Sequence, residues 1–176
     1  MARKQYGYAE SSNLKATTAG HIFDVIQTDA ALENGMLKKL GEIKEILEVR
    51  EVKKAAAKDK VVLILSTLIP YDTSNTLYTH ESYLKKEAGE VARAYELVEE
   101  DRFAVADYMI KPADSKLAVG NFVVLDDATG FYQEVAKGQE ETKVAENGFM
   151  ARIEGIETKG AITIVRLRVI QNTQIA

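Results

Sequence analysis

Cysteine and tryptophan are absent from the 176 residues, and histidine and proline occur twice each. Without cysteine the chain has no disulfide framework, no thiolate metal site and no cysteine nucleophile. The two histidines, His21 and His80, stand far apart, and neither has a second histidine at helical ligand spacing. Each is therefore expected to be structural rather than a metal ligand or a base. Long apolar runs are also missing. The strongest, Val61 to Leu65, falls far short of the roughly 20 residues that a membrane-spanning helix needs. Charge of one sign is not in excess: 23 basic residues against 27 acidic ones give −4, so no field draws the whole chain onto nucleic acid or an anionic membrane. The opening Met-Ala-Arg-Lys turns polar at once, and the expectation is a chain without a secretory signal.

Catalytic signatures are missing as well. No serine sits in a Gly-x-Ser-x-Gly elbow, the turn that presents a hydrolase nucleophile. Gly120 and Gly130 do not precede Lys-Ser or Lys-Thr, so no phosphate cradle is indicated. Asp126-Asp127 and Asp72 to Asn75 lack the alternating acids and distal glutamate of a calcium loop and read as tight turns. Glu99-Glu100-Asp101 and Glu140-Glu141 read as solvated turns, because a general acid needs burial or a close like charge. The expectation is a non-enzymatic protein with no cofactor and no metal.

What is present is a core. Apolar residues make up 46% of the chain, enough for one β-rich domain. Residues 1–20 are poor in large aliphatic side chains and are expected to form an extended N-terminal arm, anchored by Tyr6 and Tyr8. Residues 21–176 make the domain. His21 to Gln27 reads as a strand. Asp29 to Lys60 has the Ile43, Ile46, Leu47, Arg50 spacing of a helix, but Asn34-Gly35 and Gly41 interrupt it, which favours two short strands. Val61 to Thr67 is apolar on both faces, as in a strand buried on both sides. Pro70-Tyr71-Asp72 begins a loop, and Tyr83 to Val98 suits either a helix broken at Gly89 or a strand.

From Arg102 onward period two dominates. Phe103, Val105 and Met109 share a face, and Leu117–Leu125, Phe131–Val135, Phe149–Glu157 and Ala161–Ile170 are further strands between Gly, Asp and Asn turns. This is the rhythm of an antiparallel β-barrel or sandwich with minor helical content. Glu33-Asn34-Gly35 and Glu146-Asn147-Gly148 read as two hairpin turns of one chemistry. Arg166 and Arg168 occupy one face of the last strand, either as a cross-strand salt-bridge face or as candidates for inter-subunit pairing. Tyr95, Tyr108, Phe122 and Tyr132 could instead line a small-ligand pocket, though aromatics in a β core are ordinarily packing.

The order of segments carries a resemblance. Val61-Val-Leu-Ile-Leu65 is followed by Glu87-Ala-Gly-Glu90, Ala92-Arg-Ala-Tyr95, Asp101-Arg-Phe-Ala-Val105 and Leu117-Ala-Val-Gly-Asn-Phe-Val-Val124. Over roughly Gly20 to Asn172 this resembles the auxiliary head proteins of tailed bacteriophages, the decoration or cement proteins that bind assembled capsids. The charged stretch Asp29 to Lys60 departs from a compact decoration protein. The resemblance implies a structural virion protein on the capsid surface, made in the host cytoplasm. Its partner would be the major capsid protein, with self-association as a homo-oligomer such as a trimer, and no nucleic acid or membrane partner. It also implies an arm that grips the shell, for which Arg3, Lys4, Tyr6 and Tyr8 are the contact candidates. A head–tail joining or tail protein is the alternative within the virion.

Overall fold

Strands dominate the computed structural model, which describes residues 5–44, 49–67, 81–114, 116–136 and 138–175. Arg3, Lys4, Ile46, Leu47, His80 and the segment from Pro70 lie outside the described residues. The first elements are β1 (Ala9–Asn13), α1 (Ala16–Ala19), β2 (Ile22–Ile26), β3 (Leu37–Lys44), β4 (Val49–Lys53), β5 (Val62–Ile64) and β6 (Val91–Glu96). They continue with β7 (Arg102–Ala106), β8 (Ile110–Lys111), β9 (Phe122–Asp126), β10 (Phe131–Glu134), α2 (Glu140–Glu146), β11 (Phe149–Lys159) and β12 (Ile162–Asn172). The protein is mainly β with minor helix, as its period-two segments predict.

Two sheets organise these strands. Five form a closed barrel in the order β2-β4-β3-β5-β6, sealed where β6 returns to β2 with Ile22 opposite Tyr95 and Ile26 opposite Val91. Seven form a second sheet in the order β1-β7-β12-β11-β9-β10-β8. Neighbours are antiparallel except β2 with β4 and β10 with β8.

The apolar run at Val61 has a specific cause. Val62 and Ile64 point into the barrel with Val25, Val52, Ala92 and Ala94, whereas Val61 and Leu63 belong to the larger core with Phe103, Val105, Phe149 and Leu167. β5 is thus a shared wall, and alternate side chains serve different cores. The described part of residues 29–60 does form two strands, and the ambiguous stretch from Tyr83 resolves into β6, whose Ala92 and Ala94 enter the barrel. Small residues there fit the narrow interior of a five-stranded barrel.

Residues 5–20 differ from an arm with nothing to bury. Ala9–Asn13 is extended but pairs along β7, Ala9 opposite Val105 and Ser11 opposite Phe103. Ala9, Leu14 and Ala16 are buried. Three small contributions suffice because the partner strand supplies the hydrogen-bond ladder. Two further expectations change. Residues 117–121 are loop, with strand beginning only at Phe122. The repeated Glu-Asn-Gly is not a pair of hairpin turns: Gly35 (φ 87°) turns the chain into β3, where the Asn34 side chain is sunk against Ser66, donating to its carbonyl and accepting from its N–H at 2.8 Å. Gly148 instead links α2 to β11, and a Cβ there would lie 2.5 Å from the carbonyls of Asp59 and Thr173. One is a turn requirement, the other a close approach.

The outer face of β7, β12 and β11 carries the arginines singled out above. Arg166 pairs with Glu157 at 2.6 Å, while Arg168 pairs with Glu154 at 2.9 Å and Glu100 at 3.1 Å. Arg102 shares Glu154 at 3.0 Å. Both candidates for inter-subunit pairing therefore already have acids on their own chain. Exposed pairs of this kind contribute little individually. Replacing Glu154 by glutamine, which removes two pairs at once, is expected to cost about 1 kcal/mol or less in urea unfolding.

Candidate functional site

The segment Gln5–Leu14 runs along the edge of the large sheet, and its backbone is fastened there before β1 begins. Tyr6 N–H donates to the Ser82 carbonyl at 2.7 Å, and Gly7 N–H to Glu33 Oε2 at 2.7 Å. The Tyr8 carbonyl accepts from Ala106 N–H at 3.0 Å. Tyr8 Oη donates to Glu10 Oε1 at 2.5 Å, and Lys159 Nζ reaches Glu10 Oε2 at 2.7 Å. The Lys159 hydrogen bond, then that of Tyr8, holds the Glu10 carboxyl below the usual glutamate value against the opposing effect of burial. The tip of the β11–β12 hairpin is thereby tied to β1.

Tyr108 completes the edge. It lies in the short 3-10 turn Asp107–Met109 between β7 and β8, and its hydroxyl donates to the Tyr6 carbonyl at 2.8 Å. Burial of the phenol, with the charges of Glu33 and Asp107 and the nearby Tyr83, pushes its pKa up to about 12. It stays a donor at any physiological pH. Lys85 Nζ lies 5.3 Å from the centre of the Tyr6 ring, within cation–π range.

Beyond Tyr108 opens a cleft of about 620 Å³ between the loop after β8 and the β11–β12 hairpin. Tyr108, Ile110, Leu117 and Ile156 supply its apolar wall, Lys111 and Lys116 its charged rim. Neither lysine has an ion pair among the described residues. Tyr108 and Ile156 are 45% and 37% exposed, so this wall is open to a partner. The loop that frames it is held by Glu134, a buried carboxylate that accepts from Ala113 N–H, Ala118 N–H and the Asn121 amide.

The sequence-named residues are only partly brought together here. Tyr6 and Tyr8 border the edge, but their backbone is fastened to their own chain. Arg166 and Arg168 lie on the salt-bridged outer face. The four aromatics considered as a pocket lining separate: Tyr132 is in the main core, Tyr95 packs against it, Phe122 packs against Val124, Val135 and Met150, and only Tyr108 faces this cleft. The acidic turn Glu99–Asp101 is not wholly solvated, since Asp101 is fully buried and accepts from Lys15 N–H and Val98 N–H at 2.9 Å each.

Ile156, Lys111 and Lys116 were not singled out by sequence reasoning, yet Ile156 carried a signal. From Ala151 the apolar residues fall on odd positions through Ile153, and Ile156 breaks that parity. The reason is a register shift between Ile153 and Gly155, a bulge that turns the following residues over. No family model, curated protein or solved structure matches the chain.

Proposed function

We propose that this protein is a non-enzymatic structural component of a virion that binds the outside of an assembled phage capsid and stabilises it. The observation that carries the reading is the partly exposed apolar wall of Tyr108, Leu117 and Ile156, rimmed by two lysines without an ion pair among the described residues and set beside the edge along which the N-terminal segment runs. An apolar centre with a charged rim is the ordinary composition of a protein–protein contact. The resemblance in segment order to decoration proteins supplies the partner class, the major capsid protein. In this reading Arg3 and Lys4, the contact candidates that the resemblance implies, add to the contact, and self-association as a trimer would multiply it on the shell.

The test is a binding isotherm on purified shells assembled from the capsid protein encoded with this chain. Saturable binding over the whole shell is expected. Replacing Tyr108 by alanine together with Ile156 by serine is expected to weaken it at least about tenfold, with the melting transition retained. Deleting residues 1–4 should weaken it as well. Equal saturation by all three proteins would sink the assignment of this face. Binding confined to a single vertex would move the protein to the head–tail joining class.

A further inference from the structure

One end of the barrel holds a cavity that shares no lining residue with the cleft beside Tyr108. Every barrel strand contributes to a cleft of about 390 Å³ there. Phe23, Leu40 and Val62 give it an apolar floor, while Lys39, Arg50, Lys60 and Glu96 stand around it. The strand register explains the unusual member. Arg50 lies opposite Val25 on β2 and opposite Ile43 on β3, and Val25 is fully buried inside the barrel. Leu40 lies opposite Val52, two residues further along β4, and Val52 is buried in the same interior. Arg50 therefore occupies the inward-looking face of its strand, where its neighbours are apolar. Its guanidinium carbon is 5.1 Å from the centre of the Phe23 ring.

The other cations of the mouth are neutralised. Lys39 Nζ pairs with Asp59 at 2.6 Å. Lys60 Nζ pairs with one oxygen of Glu96, and His21 Nδ1 lies 2.6 Å from the other. The Glu96 carboxyl is held below the usual glutamate value, chiefly by the Lys60 hydrogen bond. Arg50 has no carboxylate partner among the described residues. What remains is an apolar floor with one guanidinium that lies over an aromatic ring and has no carboxylate partner among the described residues.

We propose that the mouth of the barrel binds a small organic monoanion, a carboxylate with an aliphatic or aromatic body. The planar fork of the guanidinium matches a carboxylate in bidentate geometry, and Phe23, Leu40 and Val62 receive the body. The cleft falls within the size range of small-molecule sites, which favour barrel mouths. A single negative charge is selected because, among the described residues of the mouth, Arg50 alone is a cation without an ion pair, while Glu96 and Asp59 repel a second charge.

The probes are sodium octanoate and sodium benzoate, with octan-1-ol and inorganic phosphate as separate arms, each titrated into the full chain and followed by amide NMR shifts. Octanoate and benzoate are expected to give saturable shifts at Phe23, Leu40 and Arg50. Octan-1-ol, which keeps the body, and phosphate, which keeps only the charge, should bind at least about tenfold more weakly. Arg50→Gln is expected to weaken octanoate binding about tenfold, with Arg50→Lys between the two. Absence of saturation by about 10 mM octanoate, shifts scattered away from the barrel mouth, or equal binding of octanoate and octan-1-ol would each overturn the proposal. The octanoate and octan-1-ol comparison uses the unaltered chain, so it decides the point even if Arg50→Gln folds poorly.

Discussion

Replacement of Tyr132 by alanine is expected to lower the unfolding free energy by about 4 kcal/mol, and replacement by phenylalanine by about 1 kcal/mol. Tyr132 is 1% exposed, and its ring packs between Phe103 and Phe149 with centroids 6.2 Å away on each side. The alanine variant loses the buried ring and leaves a cavity bounded by two more aromatics, which rigid β strands cannot close. The phenylalanine variant isolates a different interaction. The Tyr132 hydroxyl donates to the Gly35 carbonyl at 2.8 Å, and the adjacent backbone bond from Leu37 N–H to the Gly130 carbonyl is 2.8 Å. These two bonds join the entry of barrel strand β3 to β10 of the large sheet. Burial raises the Tyr132 pKa, so the phenol remains a donor. Urea unfolding followed by circular dichroism checks both values. An unchanged midpoint for the phenylalanine variant would mean that the hydroxyl adds nothing to the join that the Leu37–Gly130 bond makes at this point.

How much of the fold and the site was legible depends on what each residue answers to. The two-sided burial of Val61 to Ile64 was readable because an apolar run this short, flanked by Lys60 and Ser66, suits a strand covered on both faces. That its two faces serve two different cores was not, since that depends on where β7, β11 and β12 return from the far end of the chain. β1 was hidden for the same reason: Ser11, Ser12 and Asn13 have no apolar pattern, and their pairing is decided by β7, about ninety residues on. The buried carboxylates were invisible for a sharper reason. Asp101 sits in a polar stretch that resembles a solvated turn, and Glu134 ends a strand with nothing in its neighbours to mark it; both are drawn inward by loop N–H groups that donate to them. Arg50 was misleading, because its spacing from Ile43, Ile46 and Leu47 fits a helical face. In the barrel Arg50 faces Ile43 across two antiparallel strands. The cleft residues depend on a bulge, and only the parity break at Ile156 announced it.

Asn172 is a buried polar group placed where the barrel and the sheet meet. Its Oδ1 accepts from Val61 N–H at 2.9 Å, and its Nδ2 donates to the carbonyls of Val61 and Leu97 at 2.8 Å. The side chain at the end of β12 thereby satisfies three backbone groups at the start of β5 and just past β6. Asn172→Ala removes all three bonds and leaves those groups buried without partners. An expected loss of about 3 kcal/mol follows, because each orphaned group keeps its desolvation cost. Asn172→Asp should be no better: it keeps an acceptor for Val61 N–H but brings a charge toward two carbonyls. Hydrogen exchange distinguishes local loosening from general destabilisation. The Val61 amide is expected to exchange far faster in Asn172→Ala, through an opening of the barrel strands, while amides of β7 at the centre of the large sheet change only by the global loss of stability. Equal acceleration at both places would mean that barrel and sheet unfold as one unit, and that Asn172 supports the whole core rather than the seam.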